Sequence, residues 1–291
     1  MKTTQQRGSA WSIKLALALY DIFGYKFIYY LLYPITLFYF LLARNVKESL
    51  AIYYKHLNIE FNNSVYFEHL RTFIICSVDR FISKVDPKSY SFEYKNGEIP
   101  TKILESGTVL IYSHFGGWSA SSSRAHVKNK INIVMQEAMS DDIKKIEESI
   151  DGKSKKKKSN LNILDLNQGG IYVSVQIANA LMNEEIVAMM ADRVSNKKAE
   201  LEVSFLNEQA NFNKNPFQIA YKVDRPILAY FIILVGMRKY KVEYIRIDMD
   251  RSKKEDEAIE EALVIYVKKF EEIVKEYPNQ WFNFYDFWEK K

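Results

Sequence analysis

The hydrophobic pattern divides the chain into an apolar N-terminal stretch and an alternating region beyond residue 100. From Ala10 to Leu42 the residues are almost continuously apolar, with charge only at Lys14, Asp21 and Lys26. The longest uncharged run, Phe27 to Ala43, falls somewhat short of the roughly 20 residues a membrane-spanning helix needs. Pro34 is expected to kink it. Three readings fit: a single kinked span, a helical hairpin dipping into one leaflet, and a buried core helix. A cleaved signal peptide does not fit, because long and aromatic side chains stand where a small-residue cleavage site belongs. Residues 1–9 are polar and read as loose.

From Ser64 to Lys84, Phe67, Leu70, Phe73, Ile74, Val78, Phe81 and Ile82 recur at helical spacing. That spacing predicts an amphipathic helix whose plain role is packing on a sheet. Beyond residue 100, short β-rich runs at Val109–Tyr112, Ile131–Met135, Ile186–Met190 and Leu201–Phe205 predict strands. Helical segments are expected near 119–128, 141–150, 169–182 and 214–223. Ile227–Val235 and Lys241–Ile247 read as a hairpin around Gly236-Met-Arg-Lys. A long helix follows from about Lys254 to Tyr277, with Ile259, Leu263, Tyr266, Phe270, Ile273 and Tyr277 on one face. This alternation argues for an α/β domain with a mixed sheet. The organisation expected is a membrane-associated helical segment over 1–45 and a catalytic-sized domain over 46–291.

Composition narrows the class. The 48% hydrophobic content excludes a disordered chain. Aromatics, at 14%, crowd the N-terminal stretch and the last dozen residues, which suits contact with lipid. A net charge of +5 favours anionic partners. The single Cys76 excludes an intramolecular disulfide and a cysteine-built zinc site, and it fits a reducing, cytosol-facing location. Asp151 to Asn160 holds five lysines and reads as a solvated loop or a docking patch for an acidic carrier or anionic lipid. Nucleic-acid binding is disfavoured, since no aromatic side chains interleave with these lysines.

Candidate chemistry centres on Tyr112-Ser-His114-Phe-Gly116-Gly117-Trp118. A histidine directly after a buried strand is placed to act as a general base on a hydroxyl or amine. Gly116 and Gly117 let backbone approach a substrate and are expected to present N–H donors to an oxyanion. The plainer alternative is a satisfied histidine at a strand end, with glycines serving a tight turn. His126 reads as surface, while His56 and His69 have no acid or glycine beside them. Trp281 to Trp288 reads as packing or an interfacial belt, and Cys76 as helix core.

The His114 block resembles the His-x4-acid motif of the lysophospholipid acyltransferase superfamily, and more closely its bacterial lipid A late acyltransferase branch. Other segments are similar in order. They are Gln6-Arg-Gly-Ser-Ala-Trp11 with the apolar stretch, Val187-Ala-Met-Met-Ala-Asp192-Arg193, Leu201 to Phe217, and Tyr277-Pro-Asn-Gln-Trp281. The resemblance implies a mostly parallel central sheet flanked by helices, as in glycerolipid acyltransferases, beside the apolar N-terminal membrane segment. It implies acyl transfer from acyl carrier protein or coenzyme A to a lipid acceptor at the bacterial inner membrane, with the catalytic domain facing the cytoplasm. No metal or redox cofactor and no covalent acyl-enzyme are implied. Five residues after His114, where the family has an acid, this chain has Ser119. Asp192 is the first substitute and Glu137 the second. Trp118, Ser119 and Arg193 join Gly116 and Gly117 as expected substrate contacts, Arg193 as a phosphate ligand. Two rivals remain: a non-enzymatic scaffold that kept the fold, and a thioester hydrolase.

Overall fold

A computed structural model describes residues 10–95, 100–120, 128–136, 160–194 and 196–289. Glu137, His126, the lysines of 151–159 and the expected helix near 141–150 lie outside the described residues. So does the expected 119–128 helix apart from its ends, and Ser119 and Ala120 form a turn.

The central sheet is built mainly from the apolar runs. Its strands are β1 (Ser91–Tyr94), β2 (Val109–Tyr112), β3 (Ile131–Met135), β4 (Leu161–Asp165), β5 (Ile186–Met190), β8 (Ile227–Gly236) and β9 (Lys239–Ile247). The order is β1-β9-β8-β2-β5-β3-β4, and every pairing is parallel except the β8–β9 hairpin. The sheet is mixed and mostly parallel, as expected. Strand β2 lies near its centre between β5 and β8, with Val109 and Ile111 fully buried.

Strands β1 and β4 went unpredicted, and both are sheet edges. Each is short and half exposed, so polar residues interrupt the apolar signal. The predicted strand at 201–205 exists as β6 (Glu200–Phe205) but lies outside the central sheet. It pairs with β7 (Glu208–Asn213) in a two-stranded hairpin of its own. Leu206 and Asn207 make that turn at φ 52° and 66°. No Asn-Gly or Asp-Gly signal marks it; the Leu206 N–H is instead tied to Glu271 at 2.8 Å.

Helices α5 (Gly170–Met182), α6 (Asn215–Val223) and α7 (Glu255–Glu276) match their sequence pattern. The inner face of α7 buries Leu263, Tyr266, Phe270 and Ile273. Phe270 packs on Phe205, Phe212, Phe231 and Trp281, with ring centroids 5.6–6.5 Å apart. Each such ring removes a large apolar area from water. Short α4 (Thr101–Leu104) precedes β2.

At the N-terminus, α1 (Ala10–Leu42) is followed by α2 (Arg44–His56) and α3 (Asn63–Val85). The break in α1 falls at Gly24, at φ 74° and ψ −179°, while Pro34 lies inside the second part. Tyr25, Ile28, Leu32 and Thr36 are buried along one face. The opposite face leaves Ile22, Phe23, Tyr30, Phe38 and Leu41 exposed. This half-exposed state corrects the reading of α1 as a buried core helix. Helix α3 packs between α1 and the C-terminal segment rather than flat on the sheet. Asn62 caps it, accepting from the Ser64 and Val65 N–H groups. Its main link to the sheet is buried Asp79, which accepts from Tyr25 and Tyr90 at 2.7 Å and from Tyr240 of β9 at 2.5 Å.

The loop after β2 is clamped by its backbone. Gly116 N–H donates to the Gln280 carbonyl and Gly117 N–H to the Ile232 carbonyl, both at 2.8 Å. A Cβ at Gly116, where φ is +56°, would lie 2.0 Å from the Ile232 oxygen. One at Gly117 would lie 2.1 Å from the Tyr240 ring. Gly116→Ala is therefore expected to cost more than about 2 kcal/mol, from backbone strain and a clash with backbone. Gly236→Ala, which meets only ordinary contacts at 3.8 Å, is expected to stay within about 0.5 kcal/mol. Urea unfolding followed by tryptophan fluorescence measures both.

Candidate active site

Parallel register brings the two central residues together. Tyr112 of β2 is the register partner of Met190 of β5. His114 and Asp192 each stand two residues further on, at the carboxyl ends of adjacent strands, where open α/β sheets place ligand sites. Ala191 N–H continues the ladder to the Tyr112 carbonyl at 3.0 Å. The imidazole Nδ1 of His114 lies 3.1 Å from Asp192 Oδ1 and 3.3 Å from Oδ2. The His114 backbone N–H also donates to Oδ2, at 2.9 Å.

A third donor comes from the far end of the chain. The Trp281 indole Nε1–H reaches Asp192 Oδ2 at 3.1 Å. Trp281 is fully buried, and a buried indole N–H requires an acceptor. Around it the segment is pinned at several points. Phe282 N–H donates to the His114 carbonyl at 2.8 Å, and Arg193 Nη2 donates to the Phe282 carbonyl at 2.9 Å. The Gln280 amide pairs with both the N–H and the carbonyl of Leu234, each at 2.8 Å.

The electrostatics follow from this cage. Burial of Asp192 favours the neutral acid. The His114 charge and hydrogen bond, the Arg193 charge and the His114 backbone N–H oppose burial and outweigh it, holding the carboxyl below its ordinary value. An ionised carboxylate only accepts hydrogen bonds, so Nδ1 must be the donor. In the neutral ring this leaves Nε2 as the nitrogen that accepts a proton. The His114 side chain keeps 21% of its surface, so the imidazole is reachable from outside. Trp118 stands edge-on to the imidazole at 6.3 Å and stacks on Tyr112 at 5.3 Å, walling one side.

The structure brings His114, Asp192, Arg193 and Trp118 to one place. The Gly116 and Gly117 N–H groups are committed to carbonyls inside the fold, which corrects the expectation that they present donors to an oxyanion. Their glycine identity follows from close packing. Ser119 is half-buried beside Trp118.

Gln280 and Trp281 went unrecognised as site residues, although Pro278-Asn-Gln-Trp281 was a visible motif. Trp281 is packing as expected, but it is no interfacial belt. His56 does meet an acid: its Nδ1 lies 3.5 Å from Glu208, and its ring stacks on Trp288 at 3.8 Å. His69 is buried, with Nδ1 3.0 Å from the Tyr54 hydroxyl. Burial drives its pKa down to about 3, against a weaker opposing pull from the Trp281 backbone. Among the described residues, no His, Cys, Asp and Glu side chains gather as a metal site.

The lowered Asp192 pKa ties stability to pH. The carboxylate's contribution is fully present above its unfolded pKa of about 3.9 and is lost as pH falls through the lower folded value. The gap in urea midpoint between the wild-type chain and Asp192→Asn is expected to hold from about pH 7 to pH 5 and to shrink below about pH 4. Parallel urea titrations across that range measure it.

Comparison with known proteins adds one positive finding. The bacterial lipid A biosynthesis acyltransferase family matches residues 99–290, about two thirds of the chain and all of the sheet except β1. No match was found among curated proteins. The matched stretch contains His114, Asp192 and the Trp281 segment, and the chain is a member of the bacterial lipid A biosynthesis acyltransferase family.

Proposed function

We propose that this chain is a membrane-bound acyltransferase with His114 as general base and Asp192 as the acid that orients it. It moves a fatty acyl group from a thioester on acyl carrier protein or coenzyme A to a hydroxyl or amine of a lipid acceptor. Family membership supports an acyl donor and a lipid acceptor. The observation that carries the residue assignment is the 3.1 Å contact between His114 Nδ1 and Asp192.

In this reading Nε2 takes the proton from the acceptor O–H or N–H as the heteroatom attacks the thioester carbonyl. The C–S bond of the tetrahedral intermediate then breaks, and the departing thiolate takes the proton back from Nε2. Asp192 remains ionised and stabilises the imidazolium between the two steps. Arg193, already donating to Phe282, helps lower the Asp192 pKa and ties down the C-terminal segment. Trp118 lines the approach to the ring. Ser119 is not needed as the acid, which removes the main support for the inactive-scaffold rival. Glu137, the second substitute, lies outside the described residues, and the reading rests on Asp192.

The exposed apolar face of α1 supports attachment of the N-terminal segment, residues 1–45, to a bilayer, with residues 46–291 carrying the chemistry. We place the protein at the bacterial inner membrane with its catalytic face toward the cytoplasm. That side holds the thioester donors, and it suits a lone buried cysteine.

The assay is transfer of a labelled acyl chain from acyl carrier protein and from coenzyme A to a bacterial lipid extract. His114→Ala and Asp192→Asn are each expected to lower kcat by about 10²- to 10⁴-fold, with the fold intact by circular dichroism. Transfer that survives His114→Ala would remove the general-base assignment. Free fatty acid without acylated lipid would favour the hydrolase. Trp281→Phe, which takes one N–H from Asp192, is expected to lower kcat about tenfold with little change in KM.

A further inference from the structure

Outside the site described above, one buried charge lacks an acidic partner among the described residues. Arg71 of α3 keeps only 5% of its surface, and its Nε and Nη2 atoms are buried without a hydrogen-bond acceptor. Among the described residues no carboxylate pairs with it. Its guanidinium lies between two tyrosines of α1, 4.4 Å from the Tyr29 ring centroid and 4.0 Å from that of Tyr33. The guanidinium is a planar fork of N–H donors and offers no acceptor of its own. The two rings stabilise the positive charge through their faces but accept nothing from the N–H groups in the guanidinium plane. Planar N–H donors without acceptors match the oxygens of a phosphate.

The surroundings indicate where such a phosphate comes from. Tyr33 is 42% exposed, so the guanidinium lies close beneath the surface of α1. That surface is apolar on both sides of Tyr33, with Phe27, Tyr30, Leu37 and Phe38 exposed. An anion arriving there meets the setting of a headgroup joined to acyl chains. Helix α1 also keeps polar partners of the globular body along its length. Tyr20 bonds to Asp86 at 2.7 Å, Tyr25 to Asp79, and Lys47 lies 5.9 Å from the Phe40 ring. A helix crossing the bilayer would carry Asp79, Asp86, Arg71 or Lys47 into hydrocarbon, at high cost. A helix lying in the interface keeps them at headgroup depth.

We propose that Arg71, held between Tyr29 and Tyr33, binds the phosphate of a membrane phospholipid, with α1 lying along the bilayer surface instead of crossing it. This site rests on the reading of α1 as a membrane-contacting segment, and it lies outside residues 99–290, the stretch that matches the family. It makes Arg71 a lipid ligand that fixes the depth and rotation of α1.

The test compares binding of the full chain to vesicles of phosphatidylglycerol and to vesicles of a phosphate-free galactolipid. Wild-type protein is expected to prefer the phosphate lipid by about tenfold or more beyond its general charge effect. Lys268→Gln, which removes one exposed charge on α7, sets that general effect. Arg71→Gln is expected to lose the remaining preference and Arg71→Lys most of it, since an ammonium neither stacks nor presents a planar fork. If Arg71→Gln does not fold by circular dichroism, Tyr33→Leu carries the same readout at a partly exposed position. A folded Arg71→Gln or Tyr33→Leu variant that keeps the preference overturns the site. Inorganic phosphate that binds the free protein as tightly as the vesicle phosphate overturns the lipid assignment. Wild-type protein that binds neither vesicle overturns the membrane reading of α1 itself, whatever the transfer assay gives. In spheroplasts, Ser12→Cys and Leu42→Cys are expected to respond alike to an impermeant maleimide, and labelling of only one shows a crossing helix and overturns the surface geometry.

Discussion

The buried carboxylate of Asp192 is the constraint on which the rest of the site depends. A negative charge removed from water is unfavourable unless donors surround it. Here three N–H groups from two distant parts of the chain meet it: the imidazole and backbone of His114, and the indole of Trp281. Satisfying that charge also sets the imidazole tautomer and brings the C-terminal segment over the strand ends. The geometry of the His114–Asp192 pair and local stability therefore share one set of contacts.

Tight packing supports this arrangement from the other side. The loop that carries His114 passes so close to β8 and Tyr240 that neither Gly116 nor Gly117 has room for a side chain. Tyr240 is in turn held by Asp79, which also takes hydroxyls from Tyr25 of α1 and Tyr90. Burial is the largest influence on Asp79 and drives its pKa upward, against the three tyrosine hydrogen bonds and Arg238. A continuous set of contacts thus joins the apolar N-terminal helix to the loop that carries His114. The inner face of that helix is thereby linked to the position of His114, while its outer face stays exposed.

The central sheet was legible because its inner strands are short, apolar and bounded by turn residues. The edge strands β1 and β4 were not, since an edge buries only part of its surface and tolerates polar residues. The His114–Asp192 pairing was within reach of sequence reasoning, because two parallel strands whose active residues follow at equal offsets place them side by side. The N–H groups of Gly116 and Gly117 misled, because glycine permits close approach by protein backbone as readily as by a ligand. Trp281 was hidden for another reason. Its partner lies 89 positions earlier, and no local pattern distinguishes an indole that reaches a carboxylate from one that fills a core. Arg71 was equally invisible, since only the fold shows that among the described residues no acid stands opposite it.

The place of Gln280 and Trp281 in the chain has a consequence for how the protein is made. Every strand of the sheet leaves the ribosome before residues 278–282 do. Until they arrive, the Leu234 backbone lacks its amide partner, the Gly116 N–H its carbonyl, and Asp192 one of its donors. The nascent sheet can therefore collapse with its future site still open and poorly held. A chain interrupted before this segment therefore has α1 and most of its core, but neither the Gln280 clamp on Leu234 nor the Trp281 donor to Asp192.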